Sequence, residues 1–161
     1  MNRSRVALTL ASLLFFYAAM QASAYSYITD AKWQTMPVRY DKYSLSSDWQ
    51  AAIWSAASSW NDVSPSPFTW AAADAVDNDV YLQYLDGSGG VFADTTITPS
   101  GNAIVRMSIA FDRYENWYTG SGTPAGDQLD ARGIATHEFG HALGLDHTQA
   151  WRCAFSAPTM C

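Results

Sequence analysis

Basic residues, cysteine and charge of either sign are scarce in this chain of 161 residues. Nine lysines and arginines stand against fifteen aspartates and glutamates, for a formal charge of −6. A nucleic-acid binder usually presents a basic face, so that class is set aside. Two cysteines are too few for a disulfide-dense miniprotein or a four-cysteine zinc site. Charged residues make up 15%, against 48% hydrophobic and 14% aromatic. That is too apolar for a disordered chain and rich enough for one globular core. There is no internal repeat and no domain linker, and beyond residue 24 no stretch is long and apolar enough to span a membrane.

Residues 1–24 read as a secretory signal. Arg3 and Arg5 give a positive start, Val6 to Met20 is almost wholly apolar, and Ala22-Ser23-Ala24 is a small-x-small cleavage site. A membrane anchor is the alternative, but the apolar run is shorter than the roughly 20 residues a spanning helix needs, and a cleavage site follows it. The mature chain is expected to begin at Tyr25, to be extracellular and to make no membrane contact. Secretion permits a disulfide. Cys153 and Cys161 either close a short C-terminal loop, worth about 2–3 kcal/mol in the chain-entropy model, or remain two thiols, or pair with a partner outside this chain.

Along the mature chain, Pro37 to Tyr40 reads as a strand, and Ser46-Ser47-Asp48 offers helix caps. Ala52, Ile53, Ala56, Ala57 and Trp60 then recur at helical spacing. Phe68 to Trp70 and Val80 to Tyr84 are further strand candidates, followed by a glycine-rich loop over 86–90, then Val91 to Ala93 and Ile104 to Phe111. Asp74, Asp77 and Asp79 read as a solvated acidic loop. Gly120 to Gly126 is a flexible connection, and a second helix is expected from near Asp127 to about Leu143, stopped by Gly144. The expected fold is one α+β domain, 25–161, with a mixed twisted sheet and two main helices.

The chemistry concentrates in His137-Glu138-Phe139-Gly140-His141-Ala142-Leu143-Gly144-Leu145-Asp146-His147. Residues 137 and 141 share one helix face and can grip one ion. Glu138 lies beside them, where it can reach a water on that ion without ligating it. Gly144 permits a left-handed turn that swings His147 back to the same ion. Three imidazoles leave a fourth tetrahedral position open, as in a catalytic zinc site. These are the only three histidines in the chain. A structural metal site, or plain solvent-exposed histidines, is the alternative.

This segment resembles the extended zinc signature of the metzincin endopeptidases, with the flavour of their matrixin branch. The resemblance implies His137, His141 and His147 as zinc ligands, Glu138 as general base, and Met160 in Pro158-Thr159-Met160 as the methionine turn beneath the metal. More weakly, it implies that Phe92 and Ala93 belong to a substrate-binding edge strand. It also implies a structural calcium held by Asp86, Asp112 and Glu115, with loop carbonyls of Gly87, Gly89 and Val91 supplying further oxygens. Asp94 and Ala110 stand where many matrixins place histidines for a second, structural zinc, so none is expected. No inhibitory pro-domain is expected, because only the short segment from Tyr25 to Met36 separates the signal from the first strand. The chain ends just after Met160, so either it is cut short or the domain is minimal.

The expected function is that of a secreted zinc endopeptidase, monomeric, acting on an extended peptide. Two other classes stay open: a zinc hydrolase of non-protein amides such as those of a cell wall, and a non-catalytic secreted binding relative. Peptide cleavage with and without a chelator separates them.

Overall fold

The structure, a computed structural model, describes residues 26–63 and 65–147. Its elements follow the order β1 (Val38–Tyr40), α1 (Ser47–Asn61), β2 (Trp70–Ala72), β3 (Asp79–Gln83), β4 (Ala93–Ser100), β5 (Ala103–Asp112), β6 (Trp117–Tyr118), β7 (Leu129–Asp130) and α2 (Ala131–Ala142). The fold is the expected α+β one, a mixed sheet with two helices.

The sheet is built around β5. β3 pairs with it in parallel, Val80 opposite Ile109, and β4 pairs antiparallel, Thr95 opposite Ile109. β1 pairs in parallel with β2, Val38 opposite Trp70. Asp41 links the two groups: its N–H donates to the Asn78 carbonyl (2.7 Å), and its carbonyl accepts from Val80 N–H (2.8 Å). The strands thus run β2-β1-β3-β5-β4, with β4 at the edge. Burial follows from that order. β5 sits between two strands and ends in four buried residues, whereas β4 alternates half-buried and exposed positions over most of its length.

The helices pack together and against this sheet. Both bring small buried residues to the core, Ala52, Ala56 and Ala57 from α1 and Ala131, Ala135 and Ala142 from α2. Small side chains let helix backbones approach closely. Aromatic rings fill the remaining space. Trp49 of α1 meets Phe111 and Trp117, each at 5.2 Å, and Phe139 of α2 meets Tyr40 at 5.2 Å and Trp70 at 4.9 Å. Phe139 is fully buried, a side chain whose removal from water stabilises by about 1.5–3 kcal/mol.

Three boundaries differ from the sequence reading. β2 starts at Trp70, where Phe68 was expected, because Asn61 reaches back from the end of α1 and brackets Trp70, accepting its N–H (2.7 Å) and donating to its carbonyl (3.0 Å). The short strand expected over 91–93 is the lead-in to an eight-residue one, Ala93–Ser100, whose proline sits at a register shift between Thr98 and Pro99. The second helix begins at Ala131. Asp130 caps it by accepting the Arg132 N–H (3.1 Å), while Asp127 lies in the preceding turn and accepts from the Asn116 side-chain amide (3.1 Å). Among the described residues, no helix is long and apolar enough to cross a membrane. The expected signal peptide, the Cys153 and Cys161 alternatives and the expected Met160 turn lie outside the described residues.

Candidate metal centre

Helix α2 is the platform. Two tryptophans from elsewhere fix it: the Trp60 indole donates to the Thr136 carbonyl and the Trp33 indole to the Ala142 carbonyl, each at 2.8 Å. The second bond satisfies one of the carbonyls a helix leaves orphaned at its C-terminus. Phe139 anchors the buried side of the helix, so the flanking turn presents His137, Glu138 and His141 to a cleft.

The chain then reverses. Gly144 has φ of 91°, a left-handed conformation that costs a residue with Cβ about 1–2 kcal/mol. Its N–H donates to the His141 carbonyl (2.8 Å), and Leu145 N–H donates to the Gly140 carbonyl (3.1 Å). This pair of bonds is the Schellman termination. It delivers His147 to the other two histidines. The Nε2 atoms of His137 and His147 are 3.0 Å apart, and those of His141 and His147 are 3.2 Å apart.

These residues suit a zinc ion. The three ligand atoms lie within 4.8 Å of one another. Two nitrogens bound to one tetrahedral zinc at about 2.0–2.1 Å stand roughly 3.3 Å apart, close to both spacings. His141 Nδ1 is 2.8 Å from the Leu145 carbonyl oxygen. A carbonyl only accepts, so Nδ1 carries the proton and Nε2 offers its lone pair. His147 is the most exposed of the three. What burial it has, followed by the neighbouring imidazoles of His141 and His137, holds its pKa below the ordinary histidine value. That favours the neutral ring a metal needs.

One part of the support was not visible in the sequence. Residues 26–28 run antiparallel to the loop that carries His147. Ile28 N–H donates to the Gly144 carbonyl (2.9 Å), Asp146 N–H donates to the Ser26 carbonyl (2.9 Å), and the Ser26 hydroxyl donates to the His147 carbonyl (3.0 Å). The partners are over 115 residues apart in sequence, and no local pattern signals such pairing.

The cleft, of about 410 Å³, is lined by the three histidines, Glu138, Asp146, Ile134, Ile28 and the β4 approach from Phe92 to Thr95. Glu138 is only 6% exposed, and its Oε2 accepts the Thr95 hydroxyl at 2.6 Å. Phe92 precedes β4 and Ala93 opens it, opposite Phe111. Among the described residues, the far edge of β4 has no strand partner.

The expected calcium site finds no support, and its carboxylates have other partners. Asp112 is fully buried; its Oδ2 accepts the N–H groups of Leu85, Asp86 and Gly87, and its Oδ1 that of Tyr114. The Asp86 carboxylate accepts Val91 N–H and that of Glu115 accepts Gly89 N–H. Gly87 and Gly89 take φ of 93° and 86°, which turns their N–H groups toward these acids. The loop therefore turns amide protons toward all three acids. Burial pushes the Asp112 carboxyl up, but the four backbone N–H bonds outweigh it and hold its pKa below the usual carboxylate range.

Comparison with known proteins gives this geometry a context. The matrixin family of peptidases matches residues 29–158. Human matrix metalloproteinase-26 is 33% identical over 105 residues, covering 60% of this chain and 37% of that protein. Matrix metalloproteinase-C of Caenorhabditis elegans is 30% identical over 135 residues, 73% of this chain and 22% of that protein. Metallopeptidase AprA of Pseudomonas marginalis is 29% identical over 139 residues, 84% of this chain and 28% of that protein. The chain thus spans well under half the length of each of these relatives.

Proposed function

The chain belongs to the matrixin family of metallopeptidases, and from that premise we propose that it is a secreted zinc endopeptidase whose general base is Glu138. The observation that carries this reading is the convergence of His137, His141 and His147 at the mouth of a cleft that also contains a buried glutamate. His137, His141 and His147 would hold a zinc ion, which would supply Lewis acidity, lowering the pKa of water towards about 7 and polarising the scissile carbonyl.

The chain's own residues do the rest. An extended peptide adds to the free edge of β4 near Phe92 and Ala93, its backbone hydrogen-bonding to the strand and its side chains read by the cleft. Glu138 takes a proton from the attacking water on its carboxylate. Oxygen adds to the carbonyl carbon, the C–N bond breaks, and Glu138 returns that proton to the leaving amine nitrogen. The apolar packing of Phe139 holds the neighbouring carboxylate in place while it cycles between charged and neutral forms. Secretion rests on the signal-like residues 1–24, with the product expected to begin at Tyr25.

The test is digestion of casein and a peptide library by the secreted chain, with and without a zinc chelator. Chelator-sensitive cleavage supports the reading. No cleavage by zinc-loaded protein sinks it, and release of amides from cell wall alone points to a different hydrolase.

A further inference from the structure

β4 brings a hydroxyl to the carboxylate of the cleft. Along this strand Ala93, Thr95 and Ile97 are half-buried while Asp94, Thr96 and Thr98 are exposed, so position 95 belongs to the face turned towards α2. There Thr95 Oγ1 donates to Glu138 Oε2 at 2.6 Å and stands 3.3 Å from the Glu138 carbonyl oxygen. A hydroxyl has one proton to give, and the shorter contact, to the carboxyl oxygen, is the stronger. A carboxylate has two oxygens, so a donor on Oε2 leaves Oε1 for the reacting proton.

We propose that Thr95 is a positioning residue: its hydroxyl anchors the Glu138 carboxylate to β4 and sets the direction from which that carboxylate meets water. The assignment rests on the reading of Glu138 as general base. The strand itself has no need of the hydroxyl. Valine has the same shape, favours strands equally and would occupy the same half-buried position. What valine lacks is the bond to Glu138. The glutamate has three side-chain torsions, and a base displaced by about 1 Å can lose on the order of 100-fold in rate. Thr95 also belongs to the strand proposed to bind the peptide, so its bond ties the base to the element whose backbone aligns the substrate.

The experiment compares full-length Thr95→Val and Thr95→Ser with the parent chain in two readouts. The first is steady-state peptide cleavage. Thr95→Val is expected to lower kcat by about 10- to 100-fold with KM within about twofold, and Thr95→Ser to recover most of the loss. The second requires no turnover. The chain has only two glutamates, Glu115 and Glu138, so selective 13C labelling of glutamate carboxyls gives two resonances in the zinc-free protein. Thr95→Val should move one of them, Thr95→Ser should restore it, and Glu138→Gln should remove it. Two unmoved resonances, or a valine variant with parental kcat, overturn the proposal. A parent chain that cleaves no peptide overturns the endopeptidase reading instead, and the spectrum still shows whether Thr95 holds Glu138.

Discussion

Two buried carboxylates, Asp112 and Glu138, sit in the same domain and have opposite surroundings. Asp112 ends the central strand and accepts four backbone N–H groups from the loop over 85–87 and from Tyr114. Glu138 lies on a helix at the wall of a cleft and accepts a side-chain hydroxyl. An acid enclosed by amides is a fixed charge, since protonating it breaks several bonds at once. An acid held at one oxygen and facing a cleft can trade a proton. Sequence alone gives each an acidic residue in a suggestive place; only the count and kind of donors separates structural from chemical use.

Exchanging each acid for its amide should break the symmetry most sharply. Glu138→Gln is expected to keep the fold and zinc content but lower kcat by about 10²–10⁴-fold, read by peptide cleavage beside metal analysis. Asp112→Asn should do the converse. Its loop loosens and the melting temperature falls, while zinc content and turnover of the folded fraction stay near parental. Equal losses of activity at comparable folded fractions would erase the distinction.

Next in size comes Phe139, the buried neighbour of Glu138. Phe139→Ala should cost about 3–5 kcal/mol by denaturant unfolding, the range for a fully buried phenylalanine. Gly144→Ala should cost about 1–2 kcal/mol for the strained turn, with weaker zinc binding because that turn aims His147.

Acid offers a gentler probe of the fixed charge. The Asp112 pKa lies below its ordinary value of 3.8 in the folded state. Its contribution is therefore fully present above the unfolded value and is lost as pH falls through the lower, folded one. Stability measured against pH should show that loss in the parent and a shallower one in Asp112→Asn. The smallest effect is expected at Ser26, where alanine removes one exposed hydrogen bond to the loop of His147. Zinc affinity should fall by only a few-fold, within the roughly 0.5–1.5 kcal/mol of a single hydrogen bond.

How much of this was legible in the sequence depended on range. α1 could be read from the spacing of Ala52, Ile53, Ala56 and Ala57, and the grouping of the three histidines from their offsets and Gly144, since both are set within a few turns of chain. β4 was harder. Of its eight residues only Ala93 fell within a strand expected from sequence, and pairing with β5 defines the rest. The partners of Asp86, Asp112 and Glu115 were not legible either, because their donors are main-chain N–H groups without sequence signature. The pairing of residues 26–28 with the His147 loop and the Thr95–Glu138 bond are tertiary contacts that no local periodicity encodes.

The central claim is that three imidazoles hold one zinc ion beside Glu138. Zinc titration of the metal-stripped chain, run beside its His147→Ala variant, tests it most directly. One tightly bound equivalent is expected in the parent, with binding weakened by at least about 100-fold in the variant, on the scale of a lost ligand. Equal affinity in the two proteins would contradict it.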